Sequence, residues 1–233
     1  MLFRRLFLLF PILLFATAGV SLAAVAKAHT VGLGGVRKVP YSVAGDPAGF
    51  RADEKELRIR PLIVDGKVKE WTTGEAHDVT DRSFAVRRAI RLNDALPQEK
   101  PEHWVWQRGP WLLVDRVTGK IVALHLADYD PAVSDVVWFR DYAAYCGLSP
   151  GGKQLYGMVA QIAARKPLLA RKLGAWNATD HPSPACEPAT WQREPLRIAF
   201  QPKGGAPVSF DLVGLSAVLV EDGDAGDADG PGF

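Results

Sequence analysis

Asp65-Gly66 stands between two runs of strand-forming residues, Leu57 to Val64 (LRIRPLIV) and Lys67 to Trp71 (KVKEW). No other short feature restricts the fold as much. A two-residue type I′ loop needs φ > 0 at both central positions, which Asp-Gly accepts and most dipeptides do not. The spacing predicts an antiparallel hairpin over residues 57–71.

The same period recurs downstream. Phe84 to Leu92 (FAVRRAIRL) puts Phe84, Val86, Ile90 and Leu92 on one face, interrupted by Arg88, with Arg87 and Arg91 on the other. A helical period would scatter those apolar positions, so the run reads as a strand. Trp104 to Trp106, Trp111 to Val114 and Ile121 to Leu126 read as three strands, the last two joined by the Gly-containing turn DRVTGK. Leu196 to Gln201 and Val208 to Val220 close the body, with Gly204-Gly205 between them and Gly214 expected as a bulge.

Two stretches are ambiguous. Over residues 130–147, Asp130, Pro131 and Gly147 suit the ends of a helix, whereas Val136 to Phe139 and the aromatics beyond favour strand, which is the expectation here. Met158 to Leu173 fits either, although Pro167 forbids one unbroken element through it. Together these signals predict a mainly β chain. The fold expected is a single antiparallel β domain, a sandwich, barrel or meander of roughly 9–12 strands with little helix. It spans residues 29–220, with 29–54 as an extended lead-in and 174–190 as a loop.

Trp138, Arg140-Asp141-Tyr142, Ala144-Tyr145 and Ser149-Pro150-Gly151-Gly152-Lys153 leading to Leu155-Tyr156 resemble the strand–turn–strand of one β-propeller blade. No second copy follows at the period of about 40–50 residues that a propeller requires. The resemblance therefore implies a local hairpin.

The chain's ends are of different kinds. Arg4 and Arg5 precede the uncharged run Leu6 to Ala26, and Ala26 and Ala28 flank Lys27 at signal-peptidase spacing. This is the layout of a secretory signal peptide over residues 1–28, which predicts export to a periplasmic or secreted location. The competing reading is a retained anchor, since 21 uncharged residues can span a bilayer. Pro11 and the small residues of the second half argue against it. Cleavage after Ala23, Ala26 or Ala28 fits the pattern. At the other end, residues 221–233 (EDGDAGDADGPGF) have nothing to bury and are expected to be a disordered acidic tail. Phe233 stands where a calcium loop opening at Asp222 would need its closing Glu.

Charge narrows the partners. The whole chain carries 28 basic and 26 acidic residues; residues 29–220 keep 25 basic against 21 acidic. That excess is small and dispersed, which disfavours nucleic acid. A membrane is a partner only if the N-terminal run is retained. Cys146 and Cys186 are the sole cysteines, and in an oxidising compartment they are expected to pair.

Catalytic patterns are weak. His125, Asp128 and Asp130 end a strand-like run, but the odd spacing of His125 and Asp128 would send them to opposite faces. His77 with Asp78 and Asp81 is no stronger, and His103 beside Trp104 suits packing. The serines lack a nucleophile elbow. Gly32 to Gly35 lacks the Lys of a phosphate loop. No motif calls for a cofactor or a metal. Trp104, Trp106 and Trp111 are the candidate ligand residues, because closely spaced indoles offer apolar faces and N–H donors to a sugar or a peptide. The favoured expectation is a non-catalytic envelope or secreted module binding a protein or saccharide ligand. The alternatives are a hydrolase or metal-dependent enzyme with a dispersed site, and a membrane-anchored assembly factor that keeps its N-terminal segment.

Overall fold

The computed structural model describes residues 28–42, 55–131, 133–162, 164–177, 185–214 and 216–220. The signal-peptide and acidic-tail expectations fall outside these residues, apart from Ala28. The described residues form fifteen strands and no helix: β1 (Val31–Leu33), β2 (Arg37–Pro40), β3 (Glu56–Val64), β4 (Lys67–Thr80), β5 (Ser83–Asn93), β6 (Trp104–Asp115), β7 (Ile121–Ala123), β8 (Val137–Phe139), β9 (Tyr142–Leu148), β10 (Gln154–Gln161), β11 (Leu169–Ala175), β12 (Cys186–Gln192), β13 (Arg197–Pro202), β14 (Val208–Val213) and β15 (Ser216–Val220). The chain is mainly β, in three antiparallel sheets. The strand count rises above the expected range because four of the strands are only three or four residues long.

The first sheet runs β1-β3-β4-β5-β6-β7, with β2 also paired to β3. Its opening hairpin turns on Asp65 (φ 51°) and Gly66 (φ 75°), both left-handed as the Asp-Gly dipeptide requires. Residues 29–42, expected as an extended lead-in, supply β1 and β2 instead. Both pair with β3, whose β-branched and leucine side chains offer a face to cover.

A line of irregularities crosses this sheet. Three residues of β4, Thr73 to Glu75, oppose the single Arg87 of β5, and Gly109-Pro110 of β6 oppose Arg88. Proline cannot donate to a ladder, so a bulge is where β6 can tolerate it. Trp104–Asp115 is consequently one bulged strand, not the two strands the sequence suggested. The core changes face across this line. On one side Leu62, Phe84, Val86, Leu112 and Val114 pack together; on the other, Leu57, Ile59 and Ala89 do. Ile90 and Leu92 therefore lose the core that Phe84 and Val86 face, and Leu92 is exposed.

The second sheet is the meander β8-β9-β10-β11 and the third the meander β12-β13-β14-β15. The second lies between the other two. Alternate residues of β9 reach opposite cores: Ala143 and Tyr145 meet Ala85 and Trp111 of the first sheet. Ala144 and Cys146 meet Ile198, Phe200 and Phe210 of the third. Cys146 and Cys186 form a buried disulfide that ties β9 to β12, a bond compatible with an oxidising location. Gly157 permits the close approach of the second and third sheets, since a Cβ there would meet the Phe200 ring at 2.9 Å.

The strand expectation for residues 130–147 holds for its second half, where β8 and β9 turn at Arg140-Asp141. The β9–β10 hairpin joins them, giving the strand–turn–strand that the blade resemblance implies. Gly214 (φ 62°) lies in the two-residue loop between Val213 and Ser216. It serves a turn, not the expected bulge.

Candidate functional site

The site is built where the first sheet closes on itself. Tyr41, just past β2, forms a parallel bridge with Trp106, and the Ser42 N–H donates to the Trp106 carbonyl at 2.9 Å. β2-β3-β4-β5-β6 thereby becomes a small barrel end around Leu57, Ile59 and Ala89, with Val39, Tyr41, Trp71 and Trp106 packed against them.

Aromatic rings and guanidinium groups alternate around this end. Trp71 and Trp106 meet edge to face, centroids 5.8 Å apart. The Arg37 guanidinium lies 5.5 Å from the Trp71 centroid, and that of Arg91 lies 4.7 Å from Trp104. Arg108 stacks on Tyr41 at 4.8 Å and donates to its hydroxyl. Cations over rings stabilise both partners and fix ring orientation. Trp104 is 41% exposed and donates from Nε1 to Glu102 at 2.9 Å.

Trp71 and Trp106 line a cleft with Lys69, Glu70, Arg88 and Arg91, and a separate open groove of about 900 Å³ is lined among others by Lys38, Lys55, Arg58, Thr73, Glu75 and Arg108. One strand relationship joins it to the aromatic surface. Arg108 follows Trp106 by two residues in a regular part of the β5–β6 ladder, so both side chains leave the same face. Arg60 forms part of the wall: its stem lies across Gly74 (φ 80°), where a Cβ would meet it at 2.5 Å. Its head donates to the carbonyls of Gly34 (2.7 Å) and Leu33 (3.0 Å). The Thr73 hydroxyl is buried and has no hydrogen-bond partner among the described residues.

The three tryptophans singled out in the sequence do not form one platform. Trp106 joins Trp71 at the barrel end and Trp104 stays near the surface. Trp111, beyond the Gly109-Pro110 bulge, is buried against Trp138 with centroids 5.1 Å apart. It offers a ligand no face.

The candidate catalytic residues are dispersed. His125 lines a separate pocket with Leu124, Ile162, Lys166 and Pro167, and neither Asp128 nor Asp130 borders it. Asp128 is left-handed (φ 55°), and its carbonyl accepts from the Leu148 N–H. His77 stacks on Trp138 and binds the Arg140 carbonyl at 2.6 Å, fastening the β8–β9 turn. His103 pairs with Asp94 on the surface. Among the described residues, no three His, Cys, Asp or Glu side chains gather closely enough to share a metal ion.

Sequence reasoning missed Trp71, Arg37, Lys55 and Arg58 as members of one surface. Trp71 was visible as the end of the first hairpin, but only strand pairing brings it to Trp106. No family model, curated protein or solved structure matches the chain.

Proposed function

We propose that the chain is an exported, non-catalytic binding module and that its ligand is a saccharide held at the barrel end by Trp71, Trp104 and Trp106. The observation that carries this reading is the braced ring surface itself, with Trp71 and Trp106 lining a cleft of their own among Lys69, Glu70, Arg88 and Arg91. Indole faces stack on the C–H faces of a sugar ring, and flanking guanidinium groups supply hydrogen-bond donors for its hydroxyls. Rings held by cation–π contacts lose little freedom on binding, which favours affinity. Export is supported by the N-terminal layout and is compatible with the disulfide.

Titration calorimetry of the full chain against a panel of oligosaccharides tests the reading. At least one glycan should bind, and Trp106→Ala and Trp104→Ala should each weaken it by about tenfold or more, the usual scale for an aromatic anchor. Binding of a peptide but of no glycan, or glycan binding indifferent to both substitutions, overturns it.

A further inference from the structure

We infer that the saccharide is an anionic one, and that Lys38, Lys55 and Arg58 of the groove hold its acidic groups; this rests on the saccharide reading above. The argument begins with strand register. Lys38 on β2 lies directly opposite Arg58 on β3, and like charges at facing ladder positions destabilise a sheet. Glu56 offsets Lys38 alone, at 3.0 Å. Neither Arg58 nor Lys55 has an ion pair among the described residues. Arg108, 9% exposed, borders the same groove and is held by its stacking on Tyr41. Among the described residues, Glu56 and Glu75 are the carboxylates bordering the groove, alongside Lys38, Lys55, Arg58 and Arg60.

A ligand bearing carboxylate or sulfate groups would relieve this repulsion. Planar guanidinium groups match both anions with paired hydrogen bonds. The groove is of the size that takes an extended organic ligand. Arg108 borders the groove and leaves the same face of β6 as Trp106, two residues away, a placement that suits a chain of sugars with faces on the indoles and charges in the groove.

The experiment titrates the full chain with polygalacturonate, dextran sulfate, neutral dextran, inorganic phosphate and phosphatidylglycerol vesicles, at low and physiological salt. At least one anionic glycan should bind about tenfold or more tightly than neutral dextran, and the difference should shrink as salt rises. Arg58→Glu and Lys55→Glu should each weaken that binding about tenfold, while Lys172→Glu, an equal charge change on exposed β11, should leave it intact. Circular dichroism confirms that each variant is folded. Equal binding of neutral and anionic glycans overturns the anionic inference and leaves the saccharide reading standing. So does an equal loss with Lys172→Glu. Binding of no glycan overturns the saccharide reading itself, whether or not phosphate or the vesicles bind.

Discussion

Ser134 and Cys146 exchange two hydrogen bonds in the centre of the molecule. The Ser134 hydroxyl donates to the Cys146 carbonyl, and the Cys146 N–H donates to the Ser134 oxygen, each at 2.9 Å. Ser134 is 1% exposed, so water cannot replace either bond. Ser134→Ala strands a buried N–H and a carbonyl beside the disulfide. It should lower stability by about 1–3 kcal/mol, the cost of an unsatisfied buried group, as read by urea denaturation with an unchanged m-value.

The disulfide itself closes a loop of 40 residues between the second and third sheets. Restricting the unfolded chain over that length stabilises a fold by roughly 3–4 kcal/mol in the loop-entropy description. Replacing both cysteines by Ala should lower the denaturation midpoint correspondingly, and added reductant should then have no further effect. Non-reducing peptide mapping should recover Cys146 and Cys186 in one linked fragment.

Gly147 is required for contact, not for its own dihedral freedom. A Cβ at this position would sit 2.6 Å from the carbonyl oxygen of Asp128, whose backbone is left-handed at φ 55°. The obstacle is backbone, so no side-chain rotation relieves it. Gly147→Ala should destabilise by at least about 1–3 kcal/mol, as overpacking does. Asp128→Gly should be tolerated, because glycine accepts the left-handed conformation at no steric cost. Paired thermal melts of the two variants check this contrast.

The sequence is most informative where one face of a strand meets water, and least where both are covered. Asp65-Gly66 announces its hairpin because turn chemistry is local. β9 does not, since Ala143 and Tyr145 face one core while Ala144 and Cys146 face another, and no alternation remains to distinguish strand from helix. The reversal of the core face between Val86 and Ala89 is equally hidden, because neighbouring bulges on β4 and β6 produce it. The site follows the same rule. Trp104 and Trp106 were legible as a period-two pair on one strand. Lys38 opposite Arg58 was not, because the facing residues belong to separate strands whose register no local pattern specifies.

Asp211 should govern part of the acid sensitivity. Arg197 faces it across β13 and β14 and donates from Nε (2.7 Å) and Nη2 (3.2 Å) to its two oxygens. This hydrogen bonding holds the carboxyl below its ordinary value, with partial desolvation opposing it and the guanidinium charge adding to it. A carboxyl whose folded value is depressed contributes stability above its unfolded value, near pH 4, and loses it as pH falls through the folded one. Melting temperature should therefore drop below about pH 4, and Asp211→Asn should make that acid limb shallower while lowering stability slightly at neutral pH. An unchanged acid limb in the variant would rule out this contribution.

Trp104 and Trp111 should separate binding from folding. Both belong to β6, yet the Gly109-Pro110 bulge lies between them, and only Trp111 is buried, against Ala85, Tyr145 and Met158. Trp111→Ala removes a core ring and should cost about 3–5 kcal/mol. Its Nε1 has no partner among the described residues, so Trp111→Phe should cost much less: it gives up ring area but also removes a buried donor that costs stability. Trp104, 41% exposed and held by Arg91 and Glu102, should change stability by no more than about 0.5–1 kcal/mol when truncated. If the barrel end is the ligand surface, Trp104→Ala should instead weaken glycan binding about tenfold. Chemical denaturation and calorimetry on the same three variants, at temperatures where all are folded, provide both readings. A Trp104→Ala variant that unfolds readily but binds normally would identify that ring as packing.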